Sequence, residues 1–194
     1  MLSVIIPTGG VEQPAVATLA ALVPGATAGL IREVLLVDGT CNGVIERVAD
    51  VAGCRFIAFE GPHGARLAAG AQQAHSPWLM FLRAGAVLDP GWIEETTQFI
   101  QNVSLSGKPR AAFFRYARPA HANATLNATL GDVLRLVAQK IVGPLGEQGL
   151  LIARDHYGRL ADPPSNARHS EAWLLRRLGR SSRTLLRSRI VMMA

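Results

Sequence analysis

Three residues with polar or charged side chains, Thr8, Asp38 and Arg83, directly follow short apolar runs of the chain. Such runs are typical of buried strands, and the carboxyl ends of parallel strands meet at one edge of a sheet. We therefore expect the three side chains to lie along one rim. A carboxylate at that rim accepts hydrogen bonds from amide or hydroxyl groups, and a guanidinium group binds the oxygens of an anion.

The loop after the apolar run Trp78 to Leu82 lacks the side chains of a metal site. Divalent cations such as Mg²⁺ need hard oxygen ligands, yet no Asp or Glu occurs between Glu60 and Asp89. Asp89 itself begins the turn Asp89-Pro90-Gly91, where we predict that it caps the next helix or forms the turn. This loop therefore cannot build a metal site from its own side chains.

Strands alternate with short helices in the first half of the sequence. We predict strands over 2–7, 33–37, 54–59 and 78–82, and helices over 16–22, 44–51 and 65–74. The alternation predicts a mostly parallel α/β sheet with right-handed crossovers and flanking helices. The second half is less regular, with strands predicted over 111–116, 149–153 and 189–193, and helices over 126–142 and 171–178.

Composition indicates one globular domain over residues 1–194. Hydrophobic residues make up 49% and charged residues 18% of the chain, and no linker of Ser, Gly and Pro divides it. No stretch of roughly 18 apolar residues could span a bilayer, and a strand that begins at Leu2 leaves no room for a signal peptide. We expect a cytoplasmic protein. The cysteines, Cys41 and Cys54, lack the spacing of a metal site and are predicted to be simple thiols.

Positive charge is concentrated at the end of the sequence. Residues 154–194 contain 9 Arg and 3 acidic residues, whereas residues 1–153 contain 11 basic and 11 acidic residues, so the segment accounts for the whole net charge of +6. Such a segment can meet phosphorylated substrates or the anionic inner face of a membrane, or it can be a solvated helix face. Aromatic residues are only 6% and no nucleic-acid-binding signature occurs, so we expect no nucleic-acid partner.

Four blocks of sequence, in this order, resemble a family-2 glycosyltransferase domain of the GT-A fold. They are SVIIPT at 3–8, EVLLVDG at 33–39, GPHGARLAAGA at 61–71 and WLMFLRAGAVLDPGW at 78–92. A compact bacterial subgroup is the more similar, since Gly146-Glu147-Gln148-Gly149 matches its GDQG-like turn. The resemblance implies a nucleotide-binding half over 1–92 and an acceptor-side half over 93–194 that includes the arginine-rich segment.

The resemblance also implies which residues bind a nucleotide-sugar donor. Asp38 corresponds to the carboxylate that accepts hydrogen bonds from the base or ribose, with Pro7 and Thr8 beneath the nucleotide. His63 and Arg66 lie in the segment that approaches the nucleotide. A sugar linked to uridine diphosphate is one candidate for the donor. Each residue also has a structural alternative. Asp38 could simply form a turn before Gly39, Pro7 and Thr8 could end their strand, and Arg66 could be an exposed arginine of a helix.

Arg83 occupies the slot where the family usually carries an Asp-x-Asp cluster that binds a divalent cation. If a diphosphate binds here, Arg83 is the best-placed cation to offset its charge, which implies donor binding without a metal. The competing interpretation is that the loop has degenerated and no transfer occurs.

The acidic pair that supplies the family's general base is also missing from this sequence. An ungapped match puts Ala167-Arg168 where the family has a Glu-Asp pair. Glu147, His169 and Glu171 lie near enough to substitute, and Glu147 is favoured because it belongs to the GEQG turn. Glu171 could equally stabilise the first turn of its helix.

The resemblance therefore implies an inverting transfer of a sugar from a nucleotide donor to an acceptor hydroxyl. Glu147 or Glu171 would act as the base. Because both acidic motifs are changed, a catalytically inactive nucleotide-binding or regulatory protein is the main alternative. A third hypothesis is a peripheral membrane adaptor that uses the arginine-rich segment. For the transferase, the same segment suggests a lipid-linked acceptor.

Overall fold

A computed structural model describes residues 1–40, 42–117, 148–160 and 177–193. The strands of these ranges form one eight-stranded sheet with the order β3-β2-β1-β4-β7-β6-β8-β5. Helices cover both of its faces. The predicted α/β class is confirmed.

The first half alternates strands and helices as predicted. Its elements are β1 (Leu2–Thr8), α1 (Glu12–Thr27), β2 (Ile31–Asp38), α2 (Val44–Ala52), β3 (Arg55–Ala58), α3 (His63–Gln73) and β4 (Trp78–Phe81). Strand β1 pairs in parallel with β2 and β4, and β2 pairs in parallel with β3. The carboxyl ends of these four strands therefore meet at one edge, which we call the rim.

The second half differs from the sequence-based expectation in several places. Its described elements are β5 (Ala86–Leu88), α4 (Trp92–Ser106), β6 (Ala111–Ala117), β7 (Leu150–Ala153), α5 (Arg154–Arg159), a 3₁₀ turn (Arg180–Ser182) and β8 (Arg183–Met192). The sequence did not predict β5 or α5, and β8 begins six residues before the predicted start at Arg189. The predicted helix over 126–142, and nearly all of the one over 171–178, lie outside the described residues.

The described sheet contains four parallel and three antiparallel strand pairs, and every antiparallel pair includes a strand of the second half. Strand β7 runs antiparallel to both β4 and β6, and β5 runs antiparallel to β8, whereas β6 and β8 are parallel. Because β7 is antiparallel to β4, its first residue lies opposite the last residue of β4, as the pair Phe81 and Leu150 shows. Gln148 and Gly149, which directly precede β7, are thereby brought to the rim.

Alternating side chains of the strands form two hydrophobic clusters, one on each face of the sheet. On one face Ile6, Met80 and Leu151 pack with residues of α1, α2 and α4. On the other face Ile5, Leu79 and Ile152 pack with residues of α3 and α5. Burial on both faces explains why β1 and β4 appear in the sequence as continuous apolar runs.

Helix α3 lies unusually close to β1 because Gly70 faces it. A Cβ atom on Gly70 would stand 2.5 Å from Cγ2 of Ile5 and 3.1 Å from Cγ2 of Val37. Only a glycine allows this approach. The Gly/Ala-rich composition of α3 therefore fixes the distance between the helix that carries Arg66 and the strands that carry Thr8 and Asp38.

Within the described ranges, none of the helices has the length and apolar character required to cross a membrane.

Candidate functional site

The rim contains a hydrogen-bonded pair at the ends of β1 and β2. Thr8 and Asp38 are the last residues of these strands and are register partners, and each is only 1% exposed. The Thr8 hydroxyl donates a hydrogen bond of 2.9 Å to Oδ1 of Asp38. Pro7, also buried, lies next to Val37 in the same ladder. The strand-end positions predicted for Pro7, Thr8 and Asp38 are thus observed.

The carboxylate of Asp38 joins the loops that follow the two strands. Its Oδ1 also accepts a bond of 2.9 Å from the backbone N–H of Gly10. Its Oδ2 accepts bonds from the N–H and hydroxyl of Thr40, at 3.2 Å and 2.8 Å. Asn42 completes the connection by donating from Nδ2 to the carbonyl of Gly10 at 3.2 Å. Both oxygens of Asp38 are therefore engaged in shaping the rim.

Gly10 is required by this arrangement. Its φ of 74° lies in the left-handed region, and a Cβ atom there would collide with Oγ1 of Thr40. Gly10, Thr40 and Asn42 were not among the predicted site residues. Their only sequence signal is that glycines and small polar residues follow the two strands, as in many turns.

Arg66 approaches the same pair from α3. Its Nη1 donates a hydrogen bond to the backbone carbonyl of Thr8. The guanidinium group also lies over Gly39, since a Cβ atom on that glycine would be 3.0 Å from Nη1. Nε of Arg66 is buried and has no hydrogen-bond partner among the described residues. His63, half-buried, begins the helix that carries Arg66. The structure therefore brings Thr8, Asp38 and Arg66 together at one point.

Arg83 is exposed and lies just after β4, which is the neighbour of β1 on the side away from β2. The loop after it is fixed on two sides. The N–H of Gly85 bonds to Oγ1 of Thr18 at 2.9 Å and to the carbonyl of Pro14 at 2.8 Å. The carbonyl of Gly85 accepts the N–H of Met193 at 2.8 Å. The backbone that presents Arg83 is therefore held by α1 and by the residue after β8.

The residues at this rim do not fit a divalent cation. The loop after β4 supplies no carboxylate, and both oxygens of Asp38 are already bonded to protein donors. Within the described ranges, no three His, Cys, Asp or Glu side chains lie close enough together to hold a metal ion. An octahedral or larger oxygen shell is what Mg²⁺ or Mn²⁺ would require. The described residues do not supply it.

The two predicted candidates for a base, Glu147 and Glu171, lie outside the described residues. Of the GEQG turn, the structure describes Gln148 and Gly149. Gln148 is buried, and Gly149 has a φ of 65° and packs against Leu82 and Phe114. These two residues therefore lie at the rim, beside the end of β4.

Asp89 differs from its predicted capping role. The N-cap of α4 is Gly91, which has no side-chain capping bond. The carboxylate of Asp89 instead accepts a bond of 2.8 Å from Nε of Arg189, while its backbone carbonyl accepts the N–H of Trp92 at 3.4 Å. Asp89 thus forms the turn, as the second alternative predicted, and ties that turn to β8.

Glu33 forms a polar network at the opposite edge of the sheet, which the sequence did not reveal. Its carboxylate accepts bonds from Ser3 at 2.7 Å, from the N–H of His75 at 2.6 Å and from Arg55 at 2.9 Å. Burial opposes ionisation of Glu33, but these bonds outweigh it and lower the pKa to about 2. The network joins the beginnings of β1, β2 and β3 to the segment before β4.

A separate cavity of about 670 Å³ lies between α1 and α2. It is lined mainly by aliphatic side chains, including Val16, Val23 and Val51, with Glu12 and Arg47 as its charged residues. It lacks a cluster of polar groups that could position a reacting molecule. The rim is therefore the better candidate for a functional site.

Comparison with solved structures identifies the architecture. The S. aureus TarS structure of residues 1–349 superposes with a TM-score of 0.70 at 14% sequence identity, covering 99% of this chain and 60% of that one. Glucosyl-3-phosphoglycerate synthase from Mycobacterium tuberculosis gives a TM-score of 0.64 at 17% identity, with 100% and 71% covered. The fold is of the GT-A glycosyltransferase type.

These neighbours include structures with nucleotides. TarS has been crystallised with UDP and with UDP-GlcNAc, and the mycobacterial synthase with Mn²⁺, UDP and glucosyl-3-phosphoglycerate. This chain spans about 60% of the length of the TarS structure of residues 1–349. No protein-family model and no curated protein matches the sequence. The comparisons therefore establish the fold.

Proposed function

We propose that this protein binds a uridine-diphosphate sugar at the rim and transfers the sugar to an acceptor hydroxyl. The observation that carries the proposal is the cluster of Thr8, Asp38 and Arg66 at the carboxyl ends of β1 and β2. In open α/β sheets, ligands bind in the crevice beyond these ends. Solved structures with the same fold contain UDP or UDP-GlcNAc, which supports a uridine nucleotide as the donor.

In this proposal the residues around Asp38 bind the nucleoside. The bonds that Asp38 accepts from Gly10 and Thr40 fix the loops against which a base and ribose would lie. Pro7 and Thr8 lie beneath the nucleotide. Asp38 contributes negative charge toward the N–H and hydroxyl groups of the nucleoside. Arg66 and His63 approach the nucleotide from α3.

Arg83 offsets the charge of the diphosphate in the same proposal. A guanidinium group can hold two phosphate oxygens at once, and it stabilises the charge that develops on the departing nucleotide. The loop after β4 has no carboxylates to bind a metal ion, which supports this role for the arginine side chain. Donor binding would then be independent of a divalent metal.

The proposed reaction is a single displacement with inversion. The acceptor oxygen forms a bond to the anomeric carbon of the sugar as the bond to the diphosphate oxygen breaks. The base, Glu147 or Glu171, takes the proton of the acceptor hydroxyl, and UDP leaves with the electron pair of the broken bond. The acceptor would bind in the half formed by residues 93–194.

A thermal-shift titration with UDP tests donor binding. A ligand that binds only the native state must raise the melting temperature, so UDP should raise it in a concentration-dependent way. Arg83→Met should reduce this shift, whereas Arg32→Met, which removes an exposed arginine from the other end of β2, should leave it unchanged. No shift at millimolar UDP would reject the donor site.

Transfer from a panel of nucleotide sugars, with chelator and with added Mn²⁺, tests the chemistry. Activity that survives chelation is expected, and activity abolished by chelation would reject the role of Arg83. UDP binding without transfer to any acceptor would instead favour the nucleotide-binding or regulatory alternative.

A cytoplasmic location, peripheral to the inner face of the membrane, belongs to the same proposal. The nine arginines of residues 154–194 support attraction to an anionic lipid surface and to a lipid-linked acceptor. Binding to anionic vesicles should weaken as salt is raised, because salt screens exposed charges. Binding that is unchanged at high salt would contradict this part of the proposal.

A further inference from the structure

Two arginines stand side by side on neighbouring strands of the acceptor-side half. Arg115 on β6 and Arg189 on β8 are register partners in a parallel pair, and both are exposed. Register partners of parallel strands project from the same face, and like charges in adjacent positions destabilise a sheet. The pair therefore carries an electrostatic cost that a bound anion would remove.

The protein offsets this charge only in part. Arg189 gives its Nε to Asp89 at 2.8 Å, and its side chain remains 64% exposed. The side chain of Arg115 has neither a hydrogen bond nor an ion pair with any residue that the structure describes. Of the two guanidinium groups, only that of Arg189 is paired with a carboxylate among the described residues.

Arg115 lies at the rim, two strands away from β4 and Arg83, and Arg189 lies one strand further. Arg115 is two residues past Phe113, which pairs with Leu150, and Arg83 is two residues past Phe81, which pairs with the same Leu150. Arg83 and Arg115 are thus at about the same level, on either side of β7. With strands spaced about 4.8 Å apart, β4 and β6 are separated by about 10 Å across the sheet.

Gln148 stands between them, at the turn that leads into β7. It is 7% exposed, and its Oε1 is buried without a hydrogen-bond partner among the described residues. An unsatisfied buried acceptor destabilises the fold. A hydroxyl group supplied by a ligand would satisfy it.

We propose that Arg115, Arg189 and Gln148 form an acceptor subsite for a molecule that carries a phosphate group beside hydroxyl groups. The two guanidinium groups bind the phosphate oxygens, and Gln148 accepts a hydrogen bond from a hydroxyl. Arg83, on the other side of β7, marks the donor side of the same rim. That the ligand is the sugar acceptor rests on the proposed function, whereas phosphate binding at the pair does not.

Titration with sn-glycerol 3-phosphate at low ionic strength tests the arginine pair. Arg115→Gln should weaken its binding about tenfold, the effect of losing one charge-assisted contact of about 1.4 kcal/mol. The matched control is Arg32→Gln, which removes the same charge from an exposed strand position outside the rim. Equal losses in both variants would overturn the subsite, because net charge would then explain the effect.

Two further measurements make the result independent of misfolding. Without ligand, Arg115→Gln should melt at an equal or higher temperature than the wild type, because it removes the like-charge pair. Gln148→Leu should bring the affinity for glycerol 3-phosphate down to that for inorganic phosphate. If the wild type binds the two compounds equally, the role of Gln148 is rejected.

The source of the phosphate can be distinguished in the same variants. Phosphatidylglycerol vesicles replace soluble glycerol 3-phosphate in a second titration, and Arg115→Gln should weaken binding to whichever form is recognised. UDP binding is measured in parallel. Retained UDP binding without any Arg115-dependent phosphate binding overturns the subsite alone, while the opposite result overturns the donor site alone.

Discussion

Thr8 and Asp38 end adjacent parallel strands, and a hydrogen bond of 2.9 Å joins their side chains beneath the loops that follow. The bond makes the two strand ends one unit. Asp38 extends that unit by accepting three more bonds from Gly10 and Thr40. The shape of the rim therefore depends on one carboxylate that is almost fully buried.

Asp38→Asn should both destabilise the protein and weaken UDP binding. The new amide nitrogen cannot accept a hydrogen bond, so donors that face it lose their partner at roughly 1–3 kcal/mol each. Urea denaturation and a UDP titration measure the two effects. Asp50→Asn, on the exposed side of α2, is the control and should change neither. An Asp38→Asn protein with wild-type stability would show that the four bonds contribute little.

Arg66→Lys should reduce UDP affinity by about tenfold, which corresponds to about 1.4 kcal/mol. Lysine keeps the charge but not the planar fork that donates to the Thr8 carbonyl and lies over Gly39. Arg47→Lys, on the exposed surface of α2, is the matched control. A fall in melting temperature with unchanged UDP affinity would mean that Arg66 serves packing only.

Glu33→Gln should remove stability that depends on pH. The pKa of Glu33 is lowered from 4.5 to about 2, so its carboxylate contributes on the order of 3 kcal/mol above pH 5, and this contribution is lost as the pH falls toward 2. The wild type should therefore exceed Glu33→Gln in unfolding free energy at pH 7, with a difference that shrinks between pH 5 and pH 3.

Urea denaturation across this pH range provides the measurement for Glu33. Glu46→Gln on α2 is the control, because Glu46 is exposed. A wild-type advantage that is constant from pH 7 to pH 3 would show that the pKa of Glu33 is close to its ordinary value.

Much of the rim could be predicted because it follows from apolar runs. Thr8 and Asp38 each end such a run, and parallel pairing then makes them neighbours. The engagement of Asp38 by Thr40 and Gly10 could not be predicted, since it depends on the left-handed conformation of Gly10 and on contact between loops about thirty residues apart. The Glu33 network was missed for a similar reason. Glu33 lies up to 42 residues from its partners, and its charged partners individually resemble surface charges.

Strand β8 shows why the second half was harder to predict. Leu186 and Ile190 are its buried residues, and exposed arginines stand between them. The register shifts between Phe113 and Arg115 of β6, so three residues of β8 stand opposite one. Glu95 of α4 holds this bulge by accepting bonds from the N–H groups of Arg187 and Ser188 at 2.6 Å and 2.7 Å. The bulge breaks the alternation by which a strand is recognised.

Gly70→Ala tests whether the close approach of α3 to β1 sets the geometry of the rim. The added methyl group would stand 2.5 Å from Cγ2 of Ile5, which is fully buried, so either α3 or β1 must move. Overpacking of this kind costs about 1–3 kcal/mol. Because α3 also carries Arg66, the movement should weaken UDP binding as well as lower the melting temperature.

The control for Gly70 is another helical glycine, Gly158 of α5, whose Cβ position has no atom within 4 Å. Gly158→Ala should stabilise the protein by up to about 1 kcal/mol, because alanine favours the helix and meets nothing. If Gly70→Ala behaves like Gly158→Ala, α3 has room to shift without cost, and the position of Arg66 does not depend on that contact. Loss of stability and of UDP affinity in Gly70→Ala alone would tie the packing of α3 directly to the binding site.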